Sequence, residues 1–421
     1  MTQTFSILPG ITLRCFPDNR FKHGCMSIQL VRPMCKEEAA RNALLPAVLL
    51  RGSENCPDLR DITLRLDDLY GASIGALVRR VGDYQTTGFY SSFTEDRFAM
   101  EGDQILAPMV AFLKELLLQP LLENGVFCKD YVESEKKNLI STIESQLNDK
   151  RAYAMEQMIR GMCANDTFGI PRLGEKEDVA VITPEDLYTH YRKILRTSRI
   201  DVFYVGSAQP EKVAKLTEMI FGDLDRSCET LPCQTALRSA PETERTEQMD
   251  VNQGKLCMGF VTPVTIRDEG FVSMQMLNVI FGGGMTSKLF SHIREKLSLC
   301  YAIGSGYHGS KGIMTVSAGI DSSMDETVGR EVLAQLEECR KGNISQEEIN
   351  AAKEALRSSL LATHDSPGAI ENYYANAALS GLAMNPEQYM QKVESTTLQE
   401  ICEAAKTLKL HSVYFLKGVA Q

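Results

Sequence analysis

The stretch ITPEDLYTHYRKILRTSRIDVFYVGSAQ, residues 182–209, has a counterpart in STTLQEICEAAKTLKLHSVYFLKGVAQ, residues 395–421. Each copy has a polar start, an amphipathic helical pattern, a short basic connection and an apolar strand that closes in Gly-x-Ala-Gln. Matching Phe203 to Phe415 and Leu187 to Ile401 gives offsets of 212 and 214 residues. Because this unit recurs at half the length of the chain, the sequence predicts two related domains.

The order of the other strand and helix patterns indicates the fold class. Alternating apolar segments such as GKLCMGFVTP and GIMTVSAGI occur in pairs before runs of helix such as MDETVGREVLAQLEECR and SQEEINAAKEALRSSLLAT. Paired strands followed by helices are typical of an antiparallel sheet with helices packed on it. We therefore predict an α+β fold of two tandem homologous domains, each an antiparallel sheet packed with α-helices.

The boundary between the domains is predicted from composition. After the helical pattern PEKVAKLTEMIFGDL comes DRSCETLPCQTALRSAPETERTEQMD, which is polar, contains two prolines and has no apolar periodicity. Such a segment is typical of a linker. The predicted organisation is a first domain over residues 1–221, a linker over 222–245 and a second domain over 246–421.

Composition and charge limit the classes of partner. The chain has 421 residues, 43% of them apolar, and a formal net charge of −10. Nucleic acid is disfavoured because phosphate contacts need a basic face, so basic or neutral partners fit better. The twelve cysteines include no Cys-x-x-Cys pair. No secretory signal or membrane-spanning run is present, and we expect a cytoplasmic protein without a membrane partner.

A glycine run lies in FGGGMTSKLFSHIREKLSLCY, residues 281–301. Its spacing matches neither a phosphate-binding loop nor a dinucleotide fingerprint. The local interpretation is a turn between two helices, in which Gly282, Gly283 and Gly284 stop the first helix with a left-handed backbone. Thr286 or Ser287 would then cap the second helix.

The longer run LNVIFGGGMTSKLFSHIREKLSLCYAIGSGY resembles the C-terminal domain of the M16 family of zinc peptidases, the pitrilysin and mitochondrial-processing-peptidase group. The resemblance extends over nearly the whole chain and implies two similar α+β domains. It further implies that Arg294 and Tyr301 contact substrate, and that the three glycines let the backbone approach a bound peptide. A guanidinium can bind a peptide carbonyl or carboxylate, and a phenol can donate to an oxyanion.

The first domain departs from the family pattern. Active members carry His-x-x-Glu-His on a helix, with two zinc ligands and a general base. Aligning the turn Arg-Gly-Ser with the family's basic-Gly-Thr turn puts Ala43 and Ala47 at the histidine positions and Pro46 at the glutamate. Pro46 is expected near the first turn of its helix or at a kink. The third ligand position falls on Thr142, and Glu133, Glu135 and Glu144 lie near enough to leave that register open.

These positions predict no metal site in this chain. None of the six histidines shares a helical turn with another or has a zinc-finger spacing. The resemblance therefore implies a non-catalytic, substrate-binding subunit of a heterodimeric M16B metallopeptidase that degrades or processes unfolded peptides. Its partner would be an M16B subunit with intact His-x-x-Glu-His that supplies the zinc. Substrates would be extended peptides that add to a sheet edge around GASIGALVRRVGDY.

Two alternatives stay open at this point. The chain could be a peptidase-like scaffold or peptide-binding protein with no proteolytic role. A different activity based on Cys300 or Ser287 is disfavoured, because no ordered Cys/His or Ser/His/Asp constellation is present in the sequence.

Overall fold

The computed structural model of this protein describes residues 2–232, 236–237 and 241–418. Its contacts divide the chain into two units, and neither is continuous in sequence. Unit 1 contains Met1–Glu144, Ile170–Cys233 and His364–Asn376. Unit 2 contains Ser145–Gly169, Gln234–Thr363 and Ala377–Gln421.

Eight strands lie in the part of unit 1 that the structure describes. They are β1 (Gln3–Leu8), β2 (Ile11–Pro17), β3 (His23–Pro33), β4 (Ser73–Val81), β5 (Tyr84–Thr94), β6 (Leu122–Glu123), β7 (Val126–Phe127) and β8 (Arg199–Gly206). Six of them form one sheet in the order β1-β2-β8-β3-β5-β4, and β6 pairs with β7 separately. Within the large sheet all neighbours are antiparallel except β2 and β8, which are parallel.

Five strands lie among the described residues of unit 2. They are β9 (Thr243–Met249), β10 (Gly254–Val261), β11 (Cys300–His308), β12 (Ile313–Ile320) and β13 (Lys409–Gly418). The sheet order is β11-β12-β10-β13-β9. Again one pair is parallel, β13 with β9, and the others are antiparallel.

Fourteen α-helices occur in the part of the chain that the structure describes. In chain order they are α1 (Lys36–Leu49), α2 (Leu59–Asp68), α3 (Leu106–Leu118), α4 (Lys129–Ser145), α5 (Lys150–Met162), α6 (Lys176–Ala180), α7 (Pro184–Thr197), α8 (Pro210–Phe221), α9 (Phe271–Phe281), α10 (Asp325–Lys341), α11 (Gln346–Ala362), α12 (Pro367–Ser380), α13 (Pro386–Ser395) and α14 (Leu398–Thr407). A π-helix spans Leu289–Lys296, and short 3₁₀ turns lie at Asp96–Phe98, Met100–Gly102, Gln146–Asn148 and Thr167–Gly169.

The repeated stretch forms equivalent structures in both units. α7 leads into β8, and α14 leads into β13. Each helix begins with a capping box, from Thr183 to Asp186 in α7 and from Thr397 to Glu400 in α14. β8 and β13 each lie between one parallel and one antiparallel neighbour. The α+β prediction is therefore confirmed, with one parallel pair per sheet; the final residues of the second copy, 419–421, lie outside the described residues.

The units differ from the predicted continuous domains in two segments. Residues 145–169 pack in unit 2, although the prediction placed them in the first domain, and residues 364–376 pack in unit 1. The predicted linker over 222–245 also ends inside β9, whose sequence TERTEQM is mostly polar and lies at a sheet edge. An edge strand of this kind has no apolar periodicity, so composition alone assigned it to the linker.

A buried carboxylate holds residues 364–376 in unit 1. Glu371 on α12 is fully buried and accepts hydrogen bonds from Ser27 Oγ and Gln29 Nε2, both at 2.7 Å. Arg79 of β4 binds the same carboxylate with both terminal nitrogens, at 3.0 and 2.9 Å. Because one carboxylate satisfies polar groups of two strands, its loss would leave several buried groups unpaired.

Residues 145–169 are held in unit 2 by apolar packing and one ion pair. The Met158 and Met162 sulfurs both lie 2.7 Å from the position that a Cβ on Gly259 of β10 would occupy. Lys311 and Asp166 form an ion pair at 3.0 Å, with both side chains almost entirely buried. The small residue in β10 therefore admits α5 to the face of the sheet.

Candidate functional site

The glycine run joins the end of α9 to the free edge of β11. The amides of Gly282 and Gly283 donate to the Asn278 and Val279 carbonyls and close the last turn of α9. The Gly282 carbonyl then accepts the Ser305 amide of β11 at 2.9 Å. Ser305 Oγ donates back to Asn278 Oδ1 at 2.8 Å. The run thus occupies a hydrogen-bonding position at a sheet edge.

Close packing explains two of the three glycines. A Cβ on Gly282 would lie 2.7 Å from Ser305 Oγ and 2.8 Å from Leu289 Cδ1, and one on Gly283 would lie 2.8 Å from Val279 Cα. A Cβ on Gly284 would meet no described atom within 4 Å. The predicted left-handed backbone is wrong, since Gly282 has φ −153° and none of the three has a positive φ.

The segment after the glycines is a π-helix. Ser287 is buried and its Oγ donates to the Gly284 carbonyl at 2.6 Å and accepts the Phe290 amide at 3.4 Å. At the other end the Leu297 amide donates to the His292 carbonyl, five residues back. Single-turn π-helical segments are frequent at functional sites. Ser298, at φ 53°, then turns the chain into β11.

Arg294 lies on the exposed face of the π-helix. Its guanidinium stands over the Phe290 ring, 4.5 Å from the centroid. It forms no ion pair with any carboxylate in the described ranges. Burial raises the pKa of the Cys300 thiol, and the positive charge of Arg294 acts in the opposite direction. The guanidinium is therefore close to the first residue of β11.

Tyr301 follows Cys300 directly and lies at a β-bulge. Cys300 pairs with Ile320 while Ala302 pairs with Gly319, so Tyr301 is the extra residue on β11. Its side chain is 69% exposed. Bulges re-aim side chains next to functional sites. The exposed phenol of Tyr301 therefore lies next to Cys300, the residue of β11 whose thiol pKa is raised by burial while the positive charge of Arg294 opposes that rise.

The degenerate zinc-motif positions of unit 1 lie in the second half of α1. Ala43 is 6% exposed, Pro46 is buried and Ala47 is half-buried. None of the three side chains carries an atom that can bind zinc or accept a proton. Pro46 lies in the last turn of α1, which overturns the expectation of a first-turn position.

The interior proline is tolerated because its missing hydrogen bond is replaced. A proline cannot donate to the carbonyl four residues earlier, which here belongs to Asn42. The Thr87 hydroxyl of β5 donates to that carbonyl at 2.6 Å. α1 therefore continues to Leu49 with the Asn42 carbonyl satisfied.

A buried polar network, which the sequence did not reveal, fixes α1. Asn42 Nδ2 donates to Gln85 Oε1 at 2.9 Å, and Asn42 Oδ1 lies 2.7 Å from His190 Nε2 of α7. Burial lowers the pKa of His190 to about 4. A neutral imidazole can donate to the Asn42 oxygen, so the network joins α1 to β5 and α7. The local signal was an asparagine, Asn42, directly before the apolar run of residues 43–49.

Thr142 lies on α4 and is exposed. Its hydroxyl donates to the Asn138 carbonyl at 2.8 Å. The three nearby glutamates are each paired with a cation: Glu133 with Lys136, Glu135 with Arg51 and Glu144 with Lys176. The residues at the four motif positions therefore do not fit a catalytic zinc. Across the described ranges, no group of three or more histidine, cysteine, aspartate or glutamate side chains could hold a metal ion.

Comparisons with known proteins agree with this arrangement. Residues 182–356 match the family described as Peptidase M16 inactive domain. The chain is 29% identical over 409 residues to a protein of Bacillus subtilis named probable inactive metalloprotease YmfF, covering 97% of this chain and 96% of that protein. In the described residues, no helix combines the length and apolar content needed to cross a membrane.

Solved structures show the same fold. A conserved protein from Enterococcus faecalis superposes with a TM-score of 0.92 at 28% identity, covering 100% of this chain and 99% of that one. A structure titled peptidase M16 inactive domain from Pseudomonas fluorescens superposes with a TM-score of 0.82 at 17% identity and the same coverage. The second likeness concerns the fold alone.

Proposed function

Because this chain belongs to the M16 peptidase family, we propose that it is the non-catalytic, substrate-binding subunit of a heterodimeric M16 peptidase. The zinc and the general base would lie on a partner subunit with an intact His-x-x-Glu-His motif. The substrates would be unfolded peptides, which the pair degrades or processes.

The contrast between the two units carries this proposal. In unit 1, Ala43, Pro46 and Ala47 offer no group for metal binding or proton transfer. In unit 2, Arg294 and Tyr301 are exposed polar side chains beside a bulged strand. An exposed arginine that forms no ion pair in the described ranges, together with an exposed tyrosine, suits recognition of a ligand.

Each of these groups has a definite task in such a subunit. The Arg294 guanidinium would donate to a main-chain carbonyl of the peptide, and the Tyr301 hydroxyl would donate to the oxygen that becomes negative during amide hydrolysis. β4 is a free edge of the unit 1 sheet, where main-chain hydrogen bonds can bind an extended peptide with little sequence preference. This chain would thus orient the scissile bond while the partner performs proton transfer.

Reconstitution with a motif-bearing M16 partner tests the proposal. The assay measures hydrolysis of an unstructured peptide by the pair and by each chain alone. Tyr301→Phe should lower turnover by about 100-fold to 1000-fold, the usual cost of losing one transition-state donor. Arg294→Ala should lower it by about 100-fold, the usual cost of a misplaced substrate. Arg330→Ala is the matched control, because Arg330 is an exposed arginine of α10 without an ion pair in the described ranges.

Two outcomes would contradict the proposal. Unchanged turnover in both variants would leave the scaffold or peptide-binding alternative in its place. Chelator-sensitive hydrolysis by this chain alone would show that it carries a catalytic metal site of its own.

A further inference from the structure

A concave pocket on unit 1 has no part in the proposed function. It encloses about 590 Å³, within the range of roughly 300–1,000 Å³ that ligand sites occupy. α7, the segment after α3 and the segment after α8 line it. Its apolar surface includes Tyr188, Tyr191, Leu118, Pro120 and Leu195. Two tyrosines on one wall give the pocket an aromatic surface.

Two arginines of α7 line the same pocket. Arg192 and Arg196 are four residues apart, so their side chains lie on one face of the helix. Neither forms an ion pair with a carboxylate in the described ranges, and the hydrogen bond of Arg192 is a long one, 3.5 Å to Tyr188 Oη. Several other arginines of unit 1 are ion-paired: Arg14 and Arg199 with Asp201, Arg32 with Glu38, and Arg79 with Glu371.

The guanidinium groups of Arg192 and Arg196, not a net charge, favour an anionic ligand. Lys193 also lines the pocket, but its ammonium is bound to Glu38 at 2.6 Å. Arg192 and Arg196 then balance the two lining carboxylates, Glu54 and Asp225. Guanidinium groups present a fork of donors that matches a carboxylate, and such charge-assisted bonds are strong.

The carbonyl groups at the C-terminal end of α7 accept hydrogen bonds from groups other than the Arg192 and Arg196 side chains. The Ile194 carbonyl accepts the Ser198 amide at 3.0 Å, and the Arg196 carbonyl accepts the Ser227 amide at 3.0 Å. The Leu195 carbonyl accepts Arg226 Nη1 at 2.7 Å. The final carbonyls of α7 are thus satisfied by other donors.

We propose that this pocket binds the C-terminal carboxylate of an extended peptide whose last side chain is aromatic or aliphatic. The carboxylate lies against Arg192 and Arg196, and the side chain packs on the tyrosine wall. Capture of a chain terminus is an established mode of peptide recognition. The proposal does not depend on Arg294, Tyr301 or a partner subunit, because every lining residue belongs to unit 1.

Fluorescence polarisation with the full chain tests this site. The probes are a fluorescein-labelled hexapeptide ending in phenylalanine with a free carboxylate, and the same peptide as its C-terminal amide. The acid form should bind at least about tenfold more tightly than the amide, because the amide lacks the charged carboxylate that accepts the hydrogen bond. Raising the salt concentration should weaken binding of the acid form alone.

Single substitutions locate the binding. Arg192→Gln and Arg196→Gln should each weaken the acid form by about tenfold and leave the amide unchanged. Arg60→Gln on α2 is the matched control, an exposed arginine of unit 1 that does not line the pocket. Thermal unfolding of each variant confirms that the fold is retained.

Three results would overturn the proposal. They are equal affinity for the acid and amide probes, unchanged affinity in both pocket variants, and an equal loss in the Arg60 variant. N-acetylphenylalanine as a competitor distinguishes the source of the carboxylate. Competition at the affinity of the hexapeptide itself would show that a small carboxylic acid, not a peptide, is the ligand.

Discussion

Replacing single glycines of the 282–284 run separates close packing from conformational freedom. In Gly282→Ala the new methyl group would lie 2.7–2.8 Å from Ser305 Oγ and Leu289 Cδ1, where carbon contacts are optimal at about 3.5–4.0 Å. In Gly284→Ala it would meet no described atom within 4 Å, and no positive φ opposes alanine there. The two variants therefore make a matched pair in one loop.

The expected magnitudes have opposite signs. Overpacking costs about 1–3 kcal/mol, so Gly282→Ala should lower the free energy of unfolding by that amount. Gly284→Ala should raise it by about 0.4–1 kcal/mol, because alanine restricts the unfolded chain. For a unit of this size, each kcal/mol shifts the melting temperature by roughly 2–4 °C.

Urea and thermal unfolding of both variants provide the measurement. Hydrogen exchange at the Ser305 amide reports the contact directly, since that amide donates to the Gly282 carbonyl. Faster exchange is expected in Gly282→Ala and unchanged exchange in Gly284→Ala. Wild-type stability of Gly282→Ala, or equal destabilisation of the two, would refute the explanation by close packing.

Three further predictions concern unit 1. The pKa of His190 is lowered to about 4 in the folded protein, whereas it is about 6.5 in the unfolded chain. Between pH 4 and pH 6.5 the unfolded chain therefore binds a proton at this residue that the folded protein does not bind. Stability should fall by about 3 kcal/mol as pH drops from 6.5 to 4, and His190→Gln should flatten this part of the unfolding profile. Glu371→Ala should cost about 3–5 kcal/mol and speed hydrogen exchange in residues 364–376, whereas an unaffected segment would show that Glu371 does not hold it. The quadruple change Ala43→His, Pro46→Glu, Ala47→His and Thr142→Glu should lower the free energy of unfolding without giving the chain peptidase activity, because positions 43 and 46 are buried. Stoichiometric zinc binding together with peptide hydrolysis would contradict this prediction.

Local sequence patterns predicted the elements whose causes are local. Residues within about 25 positions of one another determine each capping box, at Thr183 and Thr397, and the apolar strand that follows it. The repeat and the fold class could therefore be predicted from the sequence. A glycine run in a sequence shows where Cβ atoms are absent, but not which structural constraint requires their absence. The sequence therefore could not distinguish a left-handed backbone from the packing of Gly282 against Ser305.

Contacts between distant residues had no such signature. Glu371 occupies an ordinary helical position in the sequence, and its partners Ser27 and Arg79 lie 344 and 292 residues away. His190 and Asn42 are separated by 148 residues. Without related sequences to reveal paired changes, the exchange of segments between units and the fixing of α1 could only be seen in three dimensions.

The membership of residues 364–376 in unit 1 affects how the protein is made. During synthesis the strands of the unit 1 sheet leave the ribosome long before Glu371 exists, because the 130 residues of unit 2 from Gln234 to Thr363 are translated in between. At about 5–20 residues per second this interval lasts several seconds to half a minute. Throughout it, Ser27, Gln29 and Arg79 have no carboxylate to bind. The first half of the nascent chain therefore lacks the carboxylate that completes its sheet, and a chain truncated before residue 364 would remain in that incomplete state.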